Sequence, residues 1–401
     1  MREPEFDVAI LGAGPAGCAL ALALRGSGLR IALVGRTRDG ASQAVRPIAL
    51  SHASRLMLER IGAWEGLATT AIEQIHVSQS GAFGRTRISR DDLGLPALGY
   101  VAGYAEIARH LAACAGAEAL VSTEVAPPAR LTVHAEGNPG PGAVEKDYHH
   151  TAIVTCVESD RPVPHTAWER FTAEGPLALL PLGKGYGVVW SRTAGRAAAS
   201  MDANDARFVA DLQLAFGLRA GRLRLSGPRA SFPLALRYSP AVAQAGELRI
   251  GNAAQTLHPV AGQGLNLGLR DAWGLARLMR EVPAGELGSA TFAERYRRTR
   301  QMDSQSTIRT TDLLATLYVR RDPLAAAFRG VALTALDMFP PARKAFARRM
   351  VYGAAAWQHG FGACASPHGA GNPGGLTCLV RCDVAATNQM SATRFFWHGS
   401  V

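Results

Sequence analysis

Two stretches of the sequence carry residue types and spacings able to do chemistry. The first is Gly12-Ala13-Gly14-Pro15-Ala16-Gly17. It follows an apolar run, Phe6 to Leu11, and precedes a helical stretch, Cys18 to Arg25. In a GxGxxG loop so placed, Gly12 permits the tight turn and Gly14 lets backbone N–H groups approach a pyrophosphate, while Gly17 lets the helix pack close to the strand. Pro15 and Ala16 stand at the helix N-terminus, whose unpaired N–H groups and positive dipole end favour phosphate. The second stretch, residues 249–273, reads RIGNAAQTLHPVAGQGLNLGLRDAW. Here Gly251 ends a strand and places Asn252 to hydrogen-bond a ribityl or phosphate oxygen. Pro259 to Gly264, with Gly262 and Gln263 inside it, reads as a loop of small residues that gives a flat ligand close backbone contact. Gly264 to Gly268, with Leu265 and Asn266, opens a second helix whose N-terminal dipole end favours a ring that becomes anionic.

Other candidates are weaker. His258 lies in the second loop, where it either assists proton movement or serves as a structural hydrogen-bonding histidine. The six cysteines stand at 18, 114, 156, 364, 378 and 382. Their spacing offers no metal site, and the first three read as buried thiols of a reducing compartment. An acid is expected at the end of the second strand to bind a ribose. Gly35 stands there, Arg36 follows, and no acid appears until Asp39. Arg36 would suit a 2′-phosphate and thus NADP. Without the acid the ribose has lost a ligand, and Gly35→Glu should restore it.

The elements that must position these groups follow from the pattern. Phe6–Leu11, the first glycine loop, the helix after it and Leu29–Val34 make a βαβ unit. Residues 75–89 read as a hairpin turning near Gly81–Gly84, and 105–115 as a helix. Pro127 to Gly142 reads as irregular. Strand-like segments at 151–157, 167–171, 177–182 and 187–191 suggest a mainly antiparallel sheet. Residues 288–356 are mostly helical. Of 401 residues, 48% are hydrophobic and 19% charged, which excludes a disordered chain. The net charge is +11, and only Lys146, Lys184 and Lys344 are lysines. So arginine-heavy a surplus reads as coding-sequence composition rather than a nucleic-acid surface, with a basic face toward anionic lipid as another reading. No apolar run is long enough to span a membrane.

The segment 249–273 resembles the flavin-binding segment of the FAD-dependent aromatic hydroxylases. It is most like their ubiquinone-biosynthesis branch, and within it the 2-octaprenyl-6-methoxyphenol hydroxylases. RPIALSHASRLMLERIGAW (46–64), IHVSQSGAFGRTRI (75–88), LGYV (98–101), TAIVTCV (151–157) and ERFTAEGPLALLPL (169–182) carry the likeness through most of the chain up to Gly353. The resemblance implies an α/β fold: a Rossmann-like FAD-binding domain, an inserted, mainly antiparallel β-sheet substrate domain and a C-terminal helical region. It divides the chain into 1–75 (FAD-binding), 76–100 (substrate-domain hairpin), 101–148 (a shortened FAD-domain part), 149–235 (substrate-domain sheet), 236–290 (FAD-binding), 291–356 (C-terminal helices) and 357–401 (an atypical tail, expected to be disordered).

The implied reaction is hydroxylation of a prenylated phenol, with FAD as cofactor, NAD(P)H as cosubstrate and dioxygen as oxygen source. The implied cofactor ligands are the residues of the two glycine stretches and Arg46, which otherwise reads as a surface arginine. No catalytic side chain is named and no metal is expected. The implied location is the bacterial cytoplasm, with peripheral inner-membrane contact and a multi-enzyme quinone-biosynthesis complex as further partners. Pro341–Val351, basic and amphipathic as a helix, is the candidate lipid contact. Two family features are altered: an Ala-Asp-Gly motif is matched only by Ala135-Glu136-Gly137, and the ribose acid is missing. A non-catalytic member that scaffolds such a complex is therefore the second reading.

Overall fold

The computed structural model of the chain describes residues 4–35, 45–116, 120–121, 126–140, 142–257, 262–319 and 323–353. All of them lie in one compact unit, residues 1–363. The first half runs β1 (Phe6–Leu11), α1 (Pro15–Ala23), β2 (Ile31–Val34), β3 (Pro47–Ser51), α2 (His52–Arg60), β4 (Thr70–Ile72), β5 (Gln74–Gln79), β6 (Arg85–Ser89), β7 (Gly99–Gly103), α3 (Tyr104–Ala115), β8 (Leu120–Val121) and β9 (Ala129–His134). Then come β10 (Val144–Ser159), β11 (Thr166–Thr172), β12 (Gly175–Leu182), β13 (Gly185–Thr193), α4 (Ala194–Asp202), α5 (Asp205–Phe216), β14 (Leu223–Leu225), β15 (Ala230–Tyr238), β16 (Ala243–Gln244), β17 (Glu247–Arg249) and β18 (Gln255–Thr256). The chain closes with α6 (Gln263–Arg280), α7 (Ala290–Val319), α8 (Pro323–Met338) and α9 (Pro340–Tyr352).

The described residues form three sheets. The first has the order β16-β17-β9-β1-β2-β8, parallel except for the β16–β17 hairpin at its edge. β1 is buried on both faces, so it is apolar throughout its middle, with Val8, Ala9 and Ile10 fully buried. Helix α1 packs against α3 and α6 over this sheet. The second sheet has the order β18-β15-β10-β13-β12-β11-β5-β6, with β14 paired to β10. It is antiparallel apart from the β11–β5 pair. Its strands alternate. On one side Trp190, Val188, Leu177 and Leu179 pack with Phe208, Leu212 and Phe216 of α5. The third sheet, β3-β7-β4, touches β12 of the second.

The α/β fold with an antiparallel sheet and C-terminal helices is as the sequence suggests. One segment differs. Residues 127–142, read as irregular, contain β9, which lies beside β1 in the middle of the parallel sheet. Its six residues alternate between half-buried and buried and sit between prolines and glycines. So short a strand gains its pairing from β1 and β17, neither of which is near in sequence. Arg36, Asp39, His258, Pro259 and the tail from 354 onward lie outside the described residues.

Candidate active site

The first glycine loop sits at the C-terminal end of β1. Gly12 has φ +113° and a Cβ there would come within 2.5 Å of the Ala135 carbonyl oxygen. A Cβ on Gly17 would collide with the Gly12 carbonyl oxygen. These two glycines are thus required by the contact of α1 with the strands β1 and β9. Gly14 is different. It caps α1 with an extended φ of −76°, no side chain caps the helix, and a Cβ on it would meet nothing within 4 Å. The first amides of α1 are thus left without a side-chain cap beside the open side of Gly14.

Gly35 has φ +147°, and its Cβ would lie 2.8 Å from the Ala13 nitrogen. The expectation that Gly35 marks a lost acidic ligand is therefore wrong. β2 ends so close to the glycine loop that no side chain fits, and Gly35→Glu strains the loop instead of restoring a ligand. Ala135-Glu136-Gly137 follows β9 directly and lies against the same loop, Ala135 N–H donating to Leu11 O at 2.6 Å. Glu136 is engaged by His134 Nδ1 at 3.1 Å.

The second stretch approaches from the other side. Gly251 has φ +57° and its Cβ would lie 3.0 Å from the Ala16 side chain, so it too is a packing glycine. Its N–H donates to the buried Asp271 at 3.0 Å. Asp271 is in turn paired with Arg300, which also binds Asp303, the partner of Arg270. This buried network fixes α6 to α7. Asn252 is exposed and makes no side-chain bond to the described residues.

Gly262 caps α6 in the left-handed conformation, φ +60°, without a side-chain cap, and a Cβ on Gly264 would be unobstructed. Gln263 is buried and donates to Met350 O at 3.2 Å. Leu265 is half-buried against the core of the parallel-sheet region. Asn266 is buried, and its side chain is fully committed. Its Nδ2 donates to Ala49 O at 2.9 Å and Gly262 O at 2.7 Å, while its Oδ1 accepts from Ser51 N at 2.8 Å and Ser54 Oγ at 2.7 Å. With two donors and two lone pairs spent, Asn266 ties α6 to β3 and α2, and only its backbone is left for a ligand. Arg46 is exposed, its guanidinium 5.5 Å from the rings of both Tyr104 and Phe232.

Against the N-terminus of α6 lies a cavity of about 290 Å³. Its walls come from β3, β7, the free face of β5–β6–β11, and helices α8 and α9. Ile75, Val77, Ile88, Phe171, Leu333, Leu336, Phe346 and Met350 make most of it apolar. Gln263 and Asn266 line its α6 end. Glu169, in the middle of β11, also faces it, and burial pushes its carboxyl up to about 7. The sequence reading names neither Glu169 nor Thr86 among the site residues. The signal was an acid in an inward register, between Ala167 and Phe171 on one face of a strand.

The cavity is roofed by helices held to the hairpin β5–β6. Gln79 Nε2 donates to Ala326 O at 3.2 Å and Asp337 accepts from Arg87 N at 3.0 Å. Arg343 of α9 binds Asp92 at 2.9 Å, and the arginine beside it holds the Asp92 carboxyl below the usual carboxylate range. α9 turns Ala347 and Val351 into the interior, with Phe346 packed against them. Pro341–Val351 thus has no free apolar face, which removes the basis for reading it as the lipid-inserting helix.

The model of the FAD binding domain family matches residues 5–136 and 108–311. The ubiquinone hydroxylase UbiL of Rhodospirillum rubrum is 30% identical over 383 residues, covering 85% of this chain and 88% of that protein. The 3-demethoxyubiquinol 3-hydroxylase of Escherichia coli is 26% identical, covering 76% and 88%. Among solved structures, p-nitrophenol 4-monooxygenase PnpA of Pseudomonas putida superposes with a TM-score of 0.70 at 15% identity, covering 88% of this chain and all of that one, a likeness of fold. The packing of α1 on α6 at Gly251 and Gly268, an apolar cavity at the N-terminus of α6, and these relatives lead to one assignment: the chain belongs to the FAD-dependent aromatic hydroxylases, in their ubiquinone-biosynthesis branch, and is an FAD-dependent aromatic monooxygenase.

Proposed function

We propose that the chain hydroxylates a prenylated phenol in ubiquinone biosynthesis, with NAD(P)H as reductant and dioxygen as oxygen source. The observation that carries this reading is the apolar cavity at the N-terminus of α6, with few polar groups on its walls. A phenol ring and the first units of a prenyl chain need such walls, and water must be kept from them.

The residues fit FAD. The uncapped N-terminus of α1 and the open side of Gly14 suit a pyrophosphate, with Gly12 and Gly17 shaping the loop and Pro15 and Ala16 opening the helix. Gly251 and the exposed Asn252 would meet the ribityl chain. The backbone of Gly262, Gln263, Gly264, Leu265 and Asn266 would meet the ring, and Arg46 its edge or phosphates. Once bound there, FAD supplies the redox chemistry. The protein's part is to orient the phenol against α6 with the apolar side chains of β5, β11 and α8, and to exclude water beneath α8 and α9. The comparisons offer no support for a scaffold without catalysis.

Lipid contact is proposed for α8. No helix among the described residues is long and apolar enough to cross a membrane. Yet α8, whose inner side walls the cavity, exposes Leu324, Phe328 and Val331, at 82%, 63% and 59%. The neighbouring α9 carries exposed Lys344 and Arg348, charges suited to an anionic headgroup layer. A prenyl chain would pass from lipid to cavity across one helix.

Purified protein should carry flavin. Anaerobic reduction of that flavin by NAD(P)H should accelerate when a prenylphenol is added, and aerobic turnover should yield a product one oxygen heavier. Flavin reduced at the same rate with and without every phenol tried, and no oxygenated product, would refute the reading.

A further inference from the structure

We propose that Glu169 is the group that receives the phenolic proton of the substrate, an inference that rests on the phenol-hydroxylase reading above. Glu169 pairs with Val77 of β5, and Val77 pairs with Thr86 of β6. The three residues make one row across three strands, and all three line the cavity. Neighbouring strands lie ~4.8 Å apart, so Glu169 and Thr86 stand ~10 Å apart at the backbone, with an apolar side chain between them. Thr86 is 1% exposed and its Oγ1 has no partner among the described residues. Glu169 likewise has no hydrogen bond or ion pair among them.

A carboxyl on an apolar wall without a partner is costly, and a fold that keeps one there has a use for it. The charged groups that could answer it are few. β5 and β6 contribute Ile75, Val77, Thr86 and Ile88, and α6 contributes the neutral Gln263 and Asn266. Among the described residues Arg329 of α8 is the other charged group on the wall, and its Nε donates to Gln79 Oε1 at 3.1 Å. Among the described residues the cavity therefore offers a flat ring apolar contact and, at one place, a carboxylate to accept a proton. The match is to a phenol: the ring against Val77 and Phe171, the hydroxyl toward Glu169.

The step moves one proton and no electrons. The phenolic O–H bond breaks, the proton goes to a Glu169 carboxylate oxygen, and the electron pair stays on the phenolic oxygen. The charge gained there enriches the ring positions that accept oxygen. Glu169 returns its proton to that oxygen as the ring regains aromaticity by releasing its C–H proton to solvent. Burial raises the carboxyl to about 7, which is near working pH, where general-base catalysis is most effective. The ionised form does the work, so activity is present above that pH and lost as pH falls through it.

The test uses the FAD-loaded enzyme, a short-chain prenylphenol and its O-methyl ether. By equilibrium dialysis near pH 8, the enzyme should prefer the phenol by about tenfold or more, the worth of a hydrogen bond to a charged group. The preference should shrink near pH 6. In Glu169→Gln it should fall to within a few-fold and lose its pH dependence. The rise of kcat/KM through pH 7 should vanish, with a loss of about 10²–10⁴-fold on the plateau, while flavin content stays unchanged. Glu169→Asp, which keeps a carboxylate, should keep both the rise and the preference at reduced rate. Undiminished discrimination or an intact rise in Glu169→Gln overturns the proposal. Should that variant not fold, absence of both in Glu169→Asp does so. If the wild type oxygenates no phenol, the substrate reading fails, and the dialysis arm still decides whether Glu169 holds a phenolic proton.

Discussion

The proposed nucleotide end and the proposed substrate end of this site are built in different ways. The nucleotide end comes from two short runs, 12–17 and 251–266, and its glycines divide into two kinds. Gly12, Gly17, Gly35 and Gly251 are glycines because another part of the protein occupies the place of a side chain. Gly14 and Gly264 have empty space there. The substrate end is assembled from β3, β5, β6, β7, β11, α6, α8 and α9, and no two neighbouring residues make a motif. One end is specified by close approaches at single glycines, the other by which strand faces which helix.

The largest effect that would test this contrast is at Gly17 against Gly14. Gly17→Val drives a side chain into the Gly12 carbonyl and should cost about 3 kcal/mol or more, or prevent folding. Gly14→Val should leave the flavin-free protein within about 0.5 kcal/mol of wild type and yet bind no flavin. Thermal unfolding of the flavin-free forms, beside the absorbance of the loaded ones, separates the two. Flavin retained in Gly14→Val would mean that the pyrophosphate does not lie at α1.

Gly35→Glu comes next. The 2.8 Å approach to the Ala13 nitrogen and the positive φ predict a loss of about 1–3 kcal/mol and weaker flavin binding. Tighter binding would revive the missing-acid reading. At the other end, Leu336→Trp should fill cavity space, leave flavin content unchanged and lower kcat/KM for a prenylphenol by about 10–200-fold, the range of a pocket misfit worth 1–3 kcal/mol. Loss of flavin along with activity would mean that the two ends are not separately built.

The smallest effect concerns the two helices over the cavity. Leu324→Glu with Val331→Glu on α8 should abolish co-sedimentation with anionic vesicles at low salt. Lys344→Glu with Arg348→Glu on α9 should weaken it by about 1 kcal/mol per charge, an effect that salt removes. The reverse ranking would return the contact to α9.

The pattern of the sequence was legible where chemistry and chain order coincide. The apolar run of β1, the glycine loop and α1 are contiguous, and a βαβ unit is fixed by local sterics and periodicity. The hairpin 75–89 and the strands at 151–157, 167–171, 177–182 and 187–191 were legible for the same reason, since alternation with period 2 shows in a single strand, whereas β14, β15 and β18 of the same sheet were not read as strands. β9 was not, because its six residues owe their pairing to β1 and β17. Nor was the commitment of Asn266, three of whose four bonds reach back more than two hundred residues to Ala49, Ser51 and Ser54, the fourth going to Gly262. The amphipathic pattern of α9 was read correctly as a pattern, but a pattern does not say whether lipid or protein covers its apolar side; the packing of Ala347 and Val351 inside does.

The sequence by itself determined that two glycine loops end strands and open helices, because only glycine tolerates the backbone angles and close approaches such loops need. Only the tertiary structure decided that Glu169 stands, without a partner among the described residues, on a wall of the cavity at the N-terminus of α6. An acid in a strand is ordinarily a solvated side chain, and its meaning changed when α8 and α9 covered the face it points to.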